Sequence, residues 1–552
     1  MDPATVTVTR SEARVETAPA ARRRDPDPGR RRWEWWCGLA IALAFAAWGL
    51  RVHGAYTIVA TDAARHAMNG AFLYDLIARG SFSAPIEFAR TYYAHYPALS
   101  MPYHPPAFPL IEAVFFFVFG VNAFAARLAV ALAVAVCSFF LFRLAVTTHR
   151  SAMVAACSAI TFLCLPESMA VGSDVMLEFP VLAFTVLAIR CLQPAETGYS
   201  MRRASAFALL AAAAVWTKQQ AVFLGAVPFL YFALLGRWQL LRKPPIWVST
   251  AIFGALVAVL AALSLPVHGA GVNQVLPKST TVHGSVWSRN VPYYVQHYSE
   301  AAGVAGVILL GAFAVAVVTG LCRRKQAALY IAWAVPAIAV LFLIRPFSTR
   351  YLHIVFPALF VLGYSGLMSI VERVTGSRRW ALAAAAALMA SAVFWKFPYP
   401  TQFVNGPDQA ARLLAGTGAQ RILYCGKTDG NFIFQYRSIR EGLDTVVIAG
   451  DKLPAVVFRP EEFHRFAHEY GVQYVVLEEF PGVARKPAWL PLISSPPPSL
   501  VFERAIPVSS SMVQWTGALR LYRFTDPSPN PKADLSLRMN MIGRTMNFHL
   551  GQ

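Results

Sequence analysis

The 552-residue sequence is short of charge: Asp, Glu, Lys and Arg make up only 14% of it, against 56% hydrophobic residues. With a mean hydropathy of +0.46, this is the composition of a membrane protein rather than of a string of soluble domains. Acidic residues are the scarcer sign, 29 against 49 Lys and Arg, for a formal charge of +20. The basic residues nevertheless lie in short clusters between apolar runs, which marks membrane topology and not a nucleic-acid surface. Cysteine is sparse too, seven in all, with Cys37, Cys137, Cys157, Cys164, Cys191 and Cys322 in or beside apolar segments and Cys425 alone in the polar tail. No disulfide or zinc framework follows from that spacing. The histidines assigned to the outer membrane face (His66, His95, His104, His268, His283, His297 and His353) are dispersed, with no H-x-x-x-H or Cys/His pair among them. No metal site is therefore read, and a divalent metal stays only as an alternative. A Walker A loop and a strand-linked G-x-G-x-x-G are both missing, so a nucleotide donor has no cradle. No internal repeat is evident. The apolar run Trp33 to Val52 is long for a signal-peptide core and lacks a small-residue cleavage site, which makes it an uncleaved first helix.

What is present is a succession of apolar segments punctuated by charge. Residues 1–32 are polar and contain Pro and Arg, a disordered cytoplasmic arm held inside by Arg22–Arg24 and Arg30–Arg32. A first outer loop, 54–105, has a helical start from Asp62 to Arg79 and an aromatic, polar end. Leu110 to Phe119 spans roughly 15 Å as a helix, half a bilayer core, and reads as a juxtamembrane helix. From there basic clusters (Arg143/Arg150, Arg202/Arg203, Arg242/Lys243, Arg323–Lys325, Arg378/Arg379) alternate with outer loops at Pro166–Asp174, Thr217–Gln220, Pro266–Glu300 and Arg345–Tyr351. The pattern gives about eleven crossings within residues 33–396, N-terminus inside and C-terminus outside. Residues 400–525 then read as a small extracytoplasmic α/β domain, with strands at Arg421–Cys425, Thr445–Ile448, Val472–Leu477 and Leu519–Phe524 and a Pro-rich linker at Ser494–Ser499. Residues 526–552 are expected to be a mobile tail. The fold class is a polytopic α-helical membrane protein with a C-terminal α/β soluble domain.

Sorting polar groups by side supplies the functional lead. Asp62, His66, His95, His104, Asp174, Glu178, Lys218, Arg345 and Arg350 all fall at the outer face, from five separate segments. Each has a plain reading: Asp62 or Asp174 as a helix N-cap, Glu178 as the partner of a buried cation, the three cations as snorkelling helix ends. Together they suggest a site. Asp174 and Glu178, spaced i, i+4, would stack on one helix face, and an ionisable group inside a span costs about 2.5–3.5 kcal/mol and marks a functional cavity. Lys218, Arg345 and Arg350 on one face would suit a phosphate at headgroup level.

These landmarks resemble a known family. Asp62 after the first helix, Pro105-Pro106 before a juxtamembrane helix, Phe119-Gly120 followed by Ala123 to Arg127, Asp174 to Pro180, Thr217-Lys218, and Arg350-Tyr351 with Pro357 are similar to the GT-C glycosyltransferases. The likeness is to family 39, the protein O-mannosyltransferases and lipid A aminoarabinose transferases. It implies a multi-span enzyme of the bacterial inner membrane that moves a sugar from a polyprenyl-phosphate donor to a lipid, glycan or protein acceptor on the outer face. Asp62 would be the catalytic base, with His66, His104, Asp174, Glu178, Lys218, Arg345, Arg350 and Tyr351 binding substrate. Two departures from the family pattern concern the acceptor and the sugar. Tyr103-His104 stands where the aminoarabinose transferases often carry Glu-Lys, and Asp62-Ala63 where the mannosyltransferases carry an Asp-Glu pair. The alternative is a lipid or sugar transporter or flippase without transferase activity, with ionisable residues spread through the midplane.

Overall fold

The computed structural model describes residues 28–51, 58–59, 61–101, 103–193, 198–265, 286–345, 347–395, 402–481, 487–511, 513–539 and 544–550. Most of the expected N-terminal arm, and His268 and His283 of the outer loop, lie outside the described residues.

Helix α1 (Pro28–Arg51) is followed by α2 (Thr61–Ala78), the helical start expected for the first loop, and α3 (Pro85–His95). The juxtamembrane helix α4 (Ala107–Phe119) begins three residues before its expected start and ends at Gly120. Asn122 then caps α5 (Ala123–His149), its side chain accepting the Ala125 N–H at 2.9 Å. Arg127 on α5 is buried and donates to the Gly49 carbonyl at 2.9 Å and the Ser173 carbonyl at 3.1 Å, tying the end of α1 to the turn that carries Asp174. Helices α6 (Ala152–Leu163) and α7 (Pro166–Ser173) meet at a bend of 70°. The Pro166–Asp174 stretch, expected as a loop, is therefore mostly helix; Pro166 has no N–H to continue α6 but fits the first turn of a new helix.

The chain continues through α8 (Glu178–Arg190), α9 (Met201–Val215), α10 (Val227–Leu234), α11 (Pro244–Ser264), α12 (Val286–Val318), α13 (Arg324–Leu343), α14 (Phe356–Thr375) and α15 (Arg378–Phe394). Among the described residues six helices are long and apolar enough to cross a membrane, or seven if α6 and α7 form one bent span. A count of eleven would need α8, α9, α10 and α15, at 13, 15, 8 and 17 residues, to cross as short helices.

Beyond residue 402 the expected α/β domain is present. Its strands, β1 (Val404–Asn405), β2 (Arg421–Cys425), β3 (Val446–Ala449), β4 (Tyr474–Glu479), β5 (Leu500–Ser510) and β6 (Gly517–Phe524), form one sheet in the order β1-β5-β6-β4-β2-β3. β2 runs parallel to both β3 and β4, and β4, β6 and β5 are antiparallel. Helices α16 (Pro407–Gly416), α17 (Asp429–Ile439) and α18 (Pro460–Glu469) alternate with the strands. β5 was not legible: only Leu500, Ile506 and Val508 in its run are well buried. The tail expected to be mobile is folded over much of its length into a hairpin of β7 (Asp534–Met539) and β8 (Arg544–His549). Leu535, Leu537 and Phe548 are buried, and Phe548 stacks on Tyr93 of α3 with ring centroids 5.0 Å apart, so apolar burial anchors it.

Candidate active site

Where α2, the segment before α4, the start of α8, the turn after α9 and the segment before α14 converge, they enclose a cavity of about 120 Å³. Its polar lining includes Asp62, His66, His104, Glu178, Lys218 and Arg350, with Tyr103 and Tyr351. Asp62 stands in the first turn of α2 and accepts from Arg350, Nη2 to Oδ2 at 3.0 Å. Glu178, only 4% exposed at its side chain, takes Lys218 Nζ at 2.7 Å and lies 3.7 Å from Arg350 Nε. Two carboxylates and two cations thus neutralise one another. Tyr351 lies under both cations, its ring centroid 4.8 Å from Lys218 Nζ and 5.5 Å from the Arg350 guanidinium carbon.

Burial works to raise the Asp62 carboxyl, but the Arg350 guanidinium beside it, with smaller help from His66 and Arg65, holds it below the ordinary carboxylate range. The same carboxylates push the Arg350 pKa up against its own desolvation. Burial depresses His66 to about 4 despite Asp62 and Glu178 nearby, and His104 is held well below its ordinary value by burial and by His66. Both imidazoles are therefore neutral at pH 7, packed edge to face with centroids 4.4 Å apart.

His353, from the same segment as Arg350, is packed between Phe162 and Phe179 at 4.6 and 4.8 Å. Neither ring nitrogen has a partner among the described residues, and burial pushes its pKa down to about 3. Its folded pKa lies below the unfolded value of about 6.5. The corresponding stability is complete above that pH and is lost as pH falls toward about 3. His353→Phe is therefore expected to lose less Tm between pH 7.5 and pH 5 than the wild type, measured by thermal unfolding in detergent; equal losses would contradict a buried neutral imidazole.

Two expected substrate-binding residues, Asp174 and Arg345, stand elsewhere, as does His95 of the outer-face set, whose Nδ1 lies 2.9 Å from the Thr445 carbonyl. Asp174 does not share a helix face with Glu178: it caps the end of α7 in extended conformation, and α8 begins only at Glu178. Pro180 has no N–H to bond back, so it confines the start of α8 to its own first turn. The Asp174 carboxylate accepts instead from the Val59 N–H at 3.2 Å, just before α2, and from Val175 N–H at 2.9 Å. Arg345 is not part of the lining; Ile344 takes that place, and the Arg345 carbonyl accepts from the Arg289 side chain. Sequence patterning does not pick out Tyr103, Gln219 or Gln220, though each lies within two positions of His104 or Lys218, and Gln219 donates to the Tyr103 carbonyl at 2.6 Å. Among the described residues no group of three or more His, Cys, Asp or Glu side chains is placed to hold a metal ion.

The architecture has solved counterparts. A crystal structure of ArnT from Cupriavidus metallidurans bound to undecaprenyl phosphate is similar over 91% of this chain and 99% of that one, at 14% identity and a TM-score of 0.54. Its apo form is similar over 89% and 98%, at 14% identity and a TM-score of 0.55. A family model described as dolichyl-phosphate-mannose-protein mannosyltransferase matches residues 103–264, which include His104, Asp174, Glu178 and Lys218. The chain shares the fold of these ArnT structures. No curated protein matches the chain. Within this fold the cavity lies where the first-loop helix meets the membrane helices, and both departures noted in the sequence, Tyr103-His104 and Asp62-Ala63, fall at or beside it.

Proposed function

We propose that this GT-C protein transfers a sugar from a polyprenyl-phosphate donor to an acceptor hydroxyl at the outer membrane face, by a single inverting displacement. The observation that carries the reading is the convergence of Lys218 and Arg350 on the cavity that Asp62 enters. Sugar-phosphate cleavage needs positive charge at the departing oxygens more than it needs an acid, and Lys218 and Arg350 supply it. The acceptor oxygen bonds to the anomeric carbon as the bond to the phosphate oxygen breaks; that oxygen keeps the electron pair. Asp62 takes the acceptor proton. Neutral His66 and His104 line the site beside it, and Glu178 holds the two cations at the donor end.

The acceptor is a lipid, glycan or protein hydroxyl, and the setting is a bacterial inner membrane with the N-terminus cytoplasmic and the C-terminal domain outside. A transporter would spread its ionisable groups through the midplane, whereas here Asp62, His66, His104, Glu178, Lys218 and Arg350 gather in one cavity. The test is transfer from a radiolabelled polyprenyl-phosphate sugar in proteoliposomes. The wild type should transfer, and Lys218→Ala should bind the donor roughly tenfold or more weakly, since charge-assisted hydrogen bonds contribute about 1.5–3 kcal/mol. Undiminished donor affinity in that variant would assign Lys218 to structure alone, and carrier movement without transfer would favour the transporter.

A further inference from the structure

In the C-terminal domain the place outside the carboxyl ends of the parallel strands is filled by the chain itself. Ligands of open α/β sheets sit outside the carboxyl ends of the parallel strands, here β2, β3 and β4. Glu478, near the end of β4, turns its carboxylate onto the loop after β2. It accepts from the N–H groups of Lys427 at 2.5 Å and Thr428 at 2.7 Å and from the Tyr424 hydroxyl at 3.1 Å. A Cβ at Gly426 would stand 1.9 Å from the Glu478 carboxyl carbon. From this loop α17 departs and packs on α2, the helix that carries Asp62.

The contacts grip both ends of α2. Before its first turn, the Asn431 side-chain amide donates to the Ile58 carbonyl, and on the next residue the Val59 N–H donates to Asp174 at 3.2 Å. The lead-in to α2 is thus held by the C-terminal domain on one residue and by the membrane domain on the next, and Asp62 follows three residues later. Gly430 lets the two helices touch: a Cβ there would lie 3.2 Å from that of Ala64. Toward the far end, Arg437 clasps Asp75 through two parallel bonds, Nε to Oδ2 at 3.0 Å and Nη2 to Oδ1 at 2.5 Å. The pair is buried, with side chains 2% and 6% exposed. A forked pair of this kind fixes orientation as well as distance. His95 and Tyr96, at the end of α3, add bonds of 2.9 Å each to the Thr445 and Gly442 carbonyls.

We propose that Arg437 is a positioning residue for the transfer: by clasping Asp75 it fixes the position of α2 along its axis and so the place of Asp62 in the cavity. This rests on reading Asp62 as the base. Lys218 and Arg350 stand on other segments, after α9 and before α14, so the brace acts on the base and not on the grip for the donor phosphate.

The test compares the full chain in nanodiscs with two variants. Asp75→Asn combined with Arg437→Gln removes both charges and leaves neither buried alone; Arg437→Lys keeps the charge and gives up the fork. Amide hydrogen exchange over residues 61–78 needs no sugar donor. The double variant should exchange there roughly tenfold or more faster, with β2 and β4 unchanged and Arg437→Lys in between. In transfer assays kcat should fall by about tenfold or more, as small misplacements of a catalytic group do, while the donor KM stays within about twofold. Unchanged exchange in α2 overturns the brace. Faster exchange with kcat untouched, or a loss confined to donor KM, overturns the positioning role. A wild type that transfers from no polyprenyl-phosphate sugar would overturn the transferase reading, and with it Arg437's part in transfer, while the exchange result still decides the brace.

Discussion

Asp62→Asn is expected to cut kcat for transfer by roughly 10²–10⁴-fold, the usual contribution of a positioned general base. Asparagine keeps the size of the side chain, and its carbonyl oxygen can still accept from Arg350, which now sits 3.0 Å from Asp62 Oδ2. What it gives up is the ability to take the acceptor proton. Donor affinity should be nearly unchanged, because Lys218 and Arg350 remain in place, so the loss belongs in kcat and not in donor KM. Undiminished transfer by a variant that expresses and folds normally would remove Asp62 as the base.

Arg350→Ala should produce the second large effect, and a different one. Arg350 bridges Asp62 at 3.0 Å and Glu178 at 3.7 Å. Its removal takes away one of two cations facing the donor, a loss of roughly 10–100-fold in donor affinity if one charge-assisted interaction is worth about 1.5–3 kcal/mol. It also frees Asp62 from the guanidinium that offsets its burial, so the carboxyl rises from its depressed value. A base works as carboxylate, above its own pKa, so the acidic limb of the kcat/KM profile moves to higher pH in the variant and activity at low pH suffers most. A loss equal at every pH would mean that Arg350 does not set the ionisation of Asp62.

How much of this the sequence carried depends on the kind of signal. α2 was legible because its polar start follows an apolar run; the outer-face sorting named Asp62, His66, His104, Glu178, Lys218 and Arg350, and the family resemblance added Tyr351, all of which line one cavity. Spacing misled where backbone chemistry intervened: Asp174 and Glu178 are four apart, but no helix joins them, and Arg345 yields its place to Ile344. The Asp75–Arg437 pair was beyond reach, since its members are 362 positions apart and each resembles an ordinary surface charge in its own segment. The terminal hairpin escaped for a related reason. Its few apolar residues become meaningful only against Tyr93 of α3.

The mutual neutralisation of Asp62, Glu178, Lys218 and Arg350 bears on turnover. In the proposed transfer a carrier phosphate would meet cations already engaged by carboxylates, and would bind by exchange of partners and not by falling into bare positive charge. The spent carrier would then leave by the reverse exchange, Glu178 lying buried 2.7 Å from Lys218 and placed to reclaim it. A site built this way would limit product inhibition by its own lipid, because the counter-ions that weaken capture also favour release, often the slow step of turnover.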